Sequence, residues 1–295
     1  MRAESGKTKV GFIGLGVMGR SMAGHILKGG FPLFVYNRSG EKAKDLIAGG
    51  AVWKDDPSSL ASCSNVVITM VGYPRDVEEV YLGEKGILEG ARKGTVLIDM
   101  TTSSPRLAAR ISREAAEKGI SVLDAPVSGG DRGAREGALS IMAGGDKKVF
   151  EEMLPLFSLM GKNIVFQGGP GSGQHTKMAN QIALAANMVG VSEALSYAVG
   201  AGLSPSAVLS SISGGAAGSW CLSNLAPKML SEDFAPGFFV KHFVKDMRIA
   251  IEEAEAMGLK VPGLKQAFAL YEELDGKGFG NDGTQALYKL YRTRG

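Results

Sequence analysis

The sequence predicts an α/β domain built on a parallel sheet, followed by an all-helical domain, with one long helix joining them. Three observations predict it. Short apolar runs alternate with helical stretches from residue 9 to residue 166, the order that builds a parallel sheet through crossover helices. Residues 170–199 then read as one uninterrupted helix. Beyond them only helical periodicity is found, punctuated by Gly and Pro. The boundaries follow: residues 1–169 for the α/β domain and 170–295 for the helical domain, with 170–199 as the joining helix.

Composition narrows the function classes. With 44% hydrophobic and 21% charged residues, the 295-residue chain has the makeup of a globular protein large enough for two cores. Its 33 basic and 30 acidic residues give a charge of only +3 with no basic run, which argues against nucleic acid as a partner. Cys63 and Cys221 lie far apart, as reduced thiols of a cytoplasmic protein do, and the N-terminal stretch MRAESGKTK has no hydrophobic signal core. His25, His175 and His242 are scattered without metal-ligand spacing, so no metal is expected.

In chain order, residues 9–13 (KVGFI) form the first strand, and residues 20–28 a helix. Between them stands Gly14-Leu15-Gly16-Val17-Met18-Gly19. A G-x-G-x-x-G run between strand and helix is a dinucleotide site. The first glycine makes the turn, the second admits a pyrophosphate, and the third lets helix and strand pack closely. The free N–H groups of the helix start then face the phosphates. The second strand, residues 33–36, ends in Asn37-Arg38-Ser39. An acid at this point would grip the ribose hydroxyls of NAD. Neutral Asn37 beside Arg38, which can pair with a 2′-phosphate, points to NADP, with NAD as the alternative.

Residues 66–70 (VVITM) are a strand apolar on both faces, and its end, Met70-Val71, falls on the edge where such sheets bind ligands. Residues 95–99 follow as a strand, with the hydroxyl cluster 101–104 opening the next helix; capping is their default role. Residues 121–124 lead into Ser128-Gly129-Gly130, which is either a plain turn or a loop offering a hydroxyl and N–H groups to a carboxylate. Residues 139–143 and 164–166 read as strands flanking a helix over 146–160.

The 170–199 helix is apolar on every side, as a buried helix is. Asn180, Gln181, Asn187 and Glu193 interrupt it too often for a bilayer. Lys177 stands near its start, with Asn180 and Gln181 on the same face at i+3 and i+4. A lysine beside amides at a domain junction suits acid/base chemistry; a capping or solvated first-turn lysine is the plainer reading. In the second half, Ser204-Pro205 starts a helix. Trp220 reads as a core aromatic, or else as a pocket wall, and Phe238, Phe239 and Phe243 as packing against the long helix. Helices over 246–256, 266–274 and 284–291 complete the chain.

Four stretches together resemble the β-hydroxyacid dehydrogenase family, which includes 3-hydroxyisobutyrate dehydrogenases, tartronate semialdehyde reductases and glyoxylate/succinic semialdehyde reductases. They are GFIGLGVMG near the start, DAPVSGG at 124–130, GSGQHTKMANQ at 171–181 and FVKHFVKDMRIA at 239–250. The resemblance covers nearly the whole chain. It implies a Rossmann domain, a long interdomain helix and an all-helical C-terminal domain. It also implies Lys177 as the catalytic acid/base, Ser128, Gly129 and Gly130 on the substrate carboxylate, and Thr102 and Lys245 near the cofactor. Many members carry Asn four residues after the lysine, where Gln181 stands here, so substrate contact stays open between Asn180 and Gln181. Homodimers and homotetramers occur in the family.

The function these readings imply is NADP-dependent interconversion of a small β-hydroxyacid and its aldehyde or keto acid. Imine reduction on the same scaffold is the alternative, and Lys177 argues against it because imine reductases generally lack that lysine. A non-catalytic NADP-binding module is the alternative from another class, against which Lys177 and the Ser-Gly-Gly loop also count. No membrane association is expected.

Overall fold

Strands form where short apolar runs end in glycine or a polar turn. The computed structural model describes residues 2–292. Among them nine strands make one sheet: β1 Val10–Ile13, β2 Leu33–Tyr36, β3 Val52–Trp53, β4 Val66–Thr69, β5 Val96–Asp99, β6 Ser121–Asp124, β7 Val127–Ser128, β8 Leu139–Gly145 and β9 Gly161–Gly168. The order is β3-β2-β1-β4-β5-β6-β8-β7, with β9 also paired to β8. β1 to β6 pair in parallel, while β8 runs antiparallel to β6 and β7. All residues of β1, β4 and β5 are buried, which continuous apolar runs permit when helices cover both faces. Alternate side chains feed opposite faces. Val66, Ile68, Ile98 and Leu123 enter one core, and Val67, Leu97 and Val122 enter the other.

The chain divides into two compact units, Met1–Lys177 and Met178–Gly295. The division runs through a single helix, Ser172–Gly200, of 29 residues. The second unit is helical throughout its described residues apart from turns and one isolated bridge, Phe239 with Gly283. Its core gathers Met188, Leu195, Phe243, Met247, Tyr271 and Leu274. Phe243 packs edge-on against Tyr271 with ring centroids 4.9 Å apart.

Several expectations need correction. The first helix starts at Val17, inside the glycine motif, because Gly16 is already its N-cap. The two-residue strands β3 and β7 and the helix Gly130–Glu136 carry too few residues for any periodicity to announce them. The long helix is not buried all round. Gln174, Met178, Gln181, Ala185, Met188, Leu195 and Ala198 form one buried stripe, while Ala179, Ala183, Ala186 and Gly190 on other faces are exposed. Alanine and glycine raise hydropathy while offering little area to bury. The helix is long and apolar enough to cross a membrane, yet Gln174 and Gln181 on its buried stripe are hydrogen-bonded within the protein. Trp220 is 61% exposed at the first position of a short helix and belongs to no core. Residues 240–256 form one helix, Val240–Ala256, carrying Lys241, Lys245 and Asp246 together.

Candidate active site

The glycine motif does what its spacing requires. Gly14 has φ +95°, and a Cβ there would overlap the carbonyl oxygen of Met70; one on Gly19 would overlap the carbonyl oxygen of Gly14. Glycine at these two positions is demanded by the protein itself. Gly16 differs, since a Cβ there would meet nothing within 4 Å. Its missing side chain leaves open space beside the helix start, where a pyrophosphate would approach. A cleft of ≈ 960 Å³ borders Leu15, Gly16 and Val17 and runs along the first helix past Arg20, which pairs with Asp45, to Lys28 and Lys42.

The parallel order carries the predicted cofactor residues of the first unit to the same edge, while Lys245 lies on a helix of the second unit. Asn37, Arg38 and Ser39 follow β2, Met70 and Val71 follow β4, and Thr102 follows β5, strands that lie next to one another around β1. The order reverses at β1, the point where such sheets open a crevice. Asn37 also holds the backbone together here. Its Oδ1 accepts the Leu15 N–H at 2.9 Å and its Nδ2 donates to the Ser39 carbonyl at 2.9 Å. The amide thus braces the glycine loop against the end of β2. The Arg38 side chain is 81% exposed and its Nη1 lies 3.5 Å from Asp76 Oδ1. A pair that open to water holds the guanidinium only weakly.

Behind this edge lies a buried polar network that sequence reasoning missed. Asp99 Oδ1 accepts from Thr69 Oγ1 at 2.8 Å and from the Thr101 N–H at 3.1 Å, and Thr69 meets the Tyr81 hydroxyl at 3.0 Å. Thr101 Oγ1 in turn accepts the Val71 N–H at 2.9 Å. Burial pushes the Asp99 carboxyl up to about 6, against the pull of the Thr101 and Thr69 hydrogen bonds. Asp124 ends β6 and binds the start of the long helix, and Gln174 in that helix binds residues 101–103. The available signal was an aspartate closing each of two mostly apolar strands, VLID and SVLD.

Lys177 is 6% exposed, so it is not a solvated lysine. Ser128 closes β7, opposite Ser140 of β8. Gly129 and Gly130 follow with φ +131° and +62°, conformations that favour glycine. In the second unit a chain of side chains runs from Asn180 to Lys245. Asn180 Nδ2 donates to Gln181 Oε1 at 2.7 Å, and Gln181 Nε2 donates to Asp246 Oδ2 at 2.6 Å. Lys245 Nζ lies 2.8 Å from Asp246 Oδ1. A carboxylate accepts only, so Asp246 turns the Gln181 amino group toward itself, and Gln181 then turns its carbonyl toward Asn180. Gln181 is fully buried with both ends of its amide engaged, whereas Asn180 is half-buried.

Comparison with known proteins gives two family models covering nearly the whole chain. The NAD binding domain of 6-phosphogluconate dehydrogenase matches residues 9–169. The NAD-binding of NADP-dependent 3-hydroxyisobutyrate dehydrogenase matches residues 171–291. The chain is 60% identical to the uncharacterised oxidoreductase YkwC of Bacillus subtilis, over 97% of this chain and 99% of that one. It is 43% identical to the 2-hydroxy-3-oxopropionate reductase of Escherichia coli, covering 86% of this chain and 87% of the relative. Among solved structures, the Mycobacterium tuberculosis 3-hydroxyisobutyrate dehydrogenase with L-serine is similar with a TM-score of 0.89 and 28% identity, over 97% of this chain and 99% of that one.

Proposed function

We propose that this chain, which belongs to the β-hydroxyacid dehydrogenase family, uses NADP(H) in preference to NAD(H) and moves its substrate proton with Lys177. As a member it is a nicotinamide-dependent oxidoreductase acting on the CH–OH group of a small β-hydroxyacid. The observation that carries the proposal is the burial of Lys177, 6% exposed, at the start of the long helix. Withdrawing an ammonium from water costs free energy, and a catalytic role accounts for a lysine kept there.

The cofactor fits the residues present, because the space left by Gly16 and the helix start at Val17 can take its pyrophosphate. When bound, the nicotinamide supplies or accepts the hydride. The chain does the rest. Lys177 Nζ gives a proton to the substrate oxygen in reduction and takes it back in oxidation, and as an ammonium it polarises the carbonyl. Ser128 and the N–H groups of Gly129 and Gly130 hold the substrate carboxylate. Asn180 touches the substrate, and Gln181 stands behind it to fix its orientation. Arg38 reads the 2′-phosphate.

A panel of small aldehyde acids tests this reading: 2-hydroxy-3-oxopropionate, succinic semialdehyde and glyoxylate, each with NADPH and NADH, and 3-hydroxyisobutyrate in the oxidative direction. At least one acid is expected to turn over with NADPH roughly 10-fold or more above NADH. Uncharged aldehydes of equal size that react as well as the acids would remove the carboxylate role from the Ser128 loop.

A further inference from the structure

The first turn of the Ser172–Gly200 helix is fastened to the sheet by two buried side chains that the chemistry above leaves unused. Asp124, 2% exposed, accepts the Gly171 N–H on Oδ1 and the Gln174 N–H on Oδ2, both at 2.8 Å. A helix start leaves such N–H groups without partners inside the helix, and a carboxylate there takes charge-assisted bonds and meets the positive end of the helix dipole. An ordinary cap comes from the residue just before the helix. This one comes from 47 and 50 residues away, so it fixes where the helix starts relative to the sheet.

Glycines make the approach possible. A Cβ on Gly173 would overlap the carbonyl oxygens of Met142 and Asp124, and one on Gly144 would lie 2.7 Å from both Asp124 Oδ1 and the Gly173 nitrogen. Gln174, fully buried, spans residues 101–103: its Nε2 donates to the Thr101 carbonyl at 2.7 Å and its Oε1 accepts the Ser103 N–H at 2.9 Å. The two bonds straddle Thr102. Lys177 follows Gln174 by three residues and therefore shares its side of the helix.

We infer that Asp124 and Gln174 are positioning residues for the reaction, holding Lys177 and Thr102 in one frame. Asp124 ties the helix start to the end of β6, and Gln174 ties the same turn to the segment after β5. This inference rests on Lys177 being the acid/base. Burial pushes the Asp124 carboxyl above its ordinary value, while the N–H bonds from Gly171 and Gln174 oppose the rise. An apolar side chain would attach a helix to a sheet without that opposition. The polar latch adds directed bonds that admit one register and one orientation. Reacting groups tolerate little error, since a misplacement of about 1 Å costs on the order of 10²-fold in rate.

The test compares Asp124→Asn, Gln174→Met and Gln174→Glu with Lys177→Ala in the full chain. It uses NADPH and the aldehyde acid of the panel that reacts fastest, at a temperature well below each variant's unfolding. Asp124→Asn and Gln174→Met are expected to lower the single-turnover rate by about 10- to 100-fold, with KM and NADPH affinity within about threefold. Gln174→Glu keeps the acceptor for Ser103 but sets a buried carboxylate oxygen against the Thr101 carbonyl, so its rate falls at least as far as that of Gln174→Met. Rates within about threefold of normal in folded Asp124→Asn and Gln174→Met, alongside a collapsed Lys177→Ala, would overturn the positioning role and leave the lysine role standing. A Lys177→Ala protein that keeps its rate would overturn the lysine reading and this inference with it. A loss of NADPH affinity matching the loss of rate would mark both residues as structural and also overturn it. Should Asp124→Asn not fold, the two Gln174 variants decide.

Discussion

Single residues decide the chemistry and the cofactor. A positioned general acid/base contributes about 10²- to 10⁴-fold, so Lys177→Ala should cut single-turnover hydride transfer by that order while NADPH still binds. Lys177→Arg should restore little, because a guanidinium does not release its proton at working pH. A Lys177→Ala protein with more than about a tenth of the normal rate would return the residue to a packing role. Arg38 is 81% exposed and only loosely paired with Asp76. Arg38→Ala should therefore reduce the ratio of kcat/KM for NADPH over NADH by roughly tenfold or more; an unchanged ratio would mean that another group reads the 2′-phosphate. Asn37→Asp keeps an acceptor for Leu15 but sets a carboxylate oxygen against the Ser39 carbonyl. Lys177 and Arg38 stand out in the sequence because few residue types could do the jobs proposed for them. The brace made by Asn37 was not, because it joins positions 22 residues apart.

At the scale of elements, a hydrogen bond from Gln181 to buried Asp246 joins the long helix to the Val240–Ala256 helix. That bond orients Asn180 through Gln181, so the two amides should fail differently. Asn180→Ala should lower kcat/KM with little loss of stability. Gln181→Ala leaves Asp246 short of a donor and should cost about 1–3 kcal/mol of stability, seen as a lower urea midpoint, with a smaller direct effect on chemistry. Equal kinetic losses with equal midpoints would contradict the division of roles. Helix spacing placed both amides beside Lys177 but could not show that Gln181 is tied to Asp246, 65 residues further along the chain. The strands were more legible. β2 and β6 follow the sequence reading residue for residue, since an apolar run bounded by turn residues is a local signal. The one-sided burial of the long helix was hidden by its alanines, which carry hydropathy without bulk.

The whole protein answers pH through its buried carboxyls. Asp99 sits at about 6 when folded, above the ordinary carboxylate value of 3.8, chiefly because burial disfavours its charge. Between pH 4 and 6 the folded state holds a proton that the unfolded state has lost, so stability falls as pH rises through this window and then levels off. The change is worth up to about 3 kcal/mol. Asp124 is shifted in the same direction and adds to the fall. In Asp99→Asn the slope should be reduced, and its urea midpoint relative to the unmutated protein should rise on going from pH 4.5 to pH 7. Parallel curves for the two proteins would show that Asp99 does not titrate in this range. The aspartate closing VLID is a local signal, but its partners come from β4 and the segment after β5, so the sequence does not show how it is held.

The latch at Asp124 bears on how such proteins can be recombined. The two family matches meet near residue 170, an inviting crossover for hybrids that join the cofactor half of one member to the helical half of another. Yet the compact units part at Lys177, and the turn between the two points donates the N–H groups that Asp124 accepts. A hybrid spliced at 170 must inherit glycine at position 173 from its second parent so that the backbone can reach Asp124, and glutamine at position 174 so that the Thr101 carbonyl and the Ser103 N–H keep their partner. Moving the splice past Lys177 transfers the aspartate, its donors and the lysine as one inheritable block.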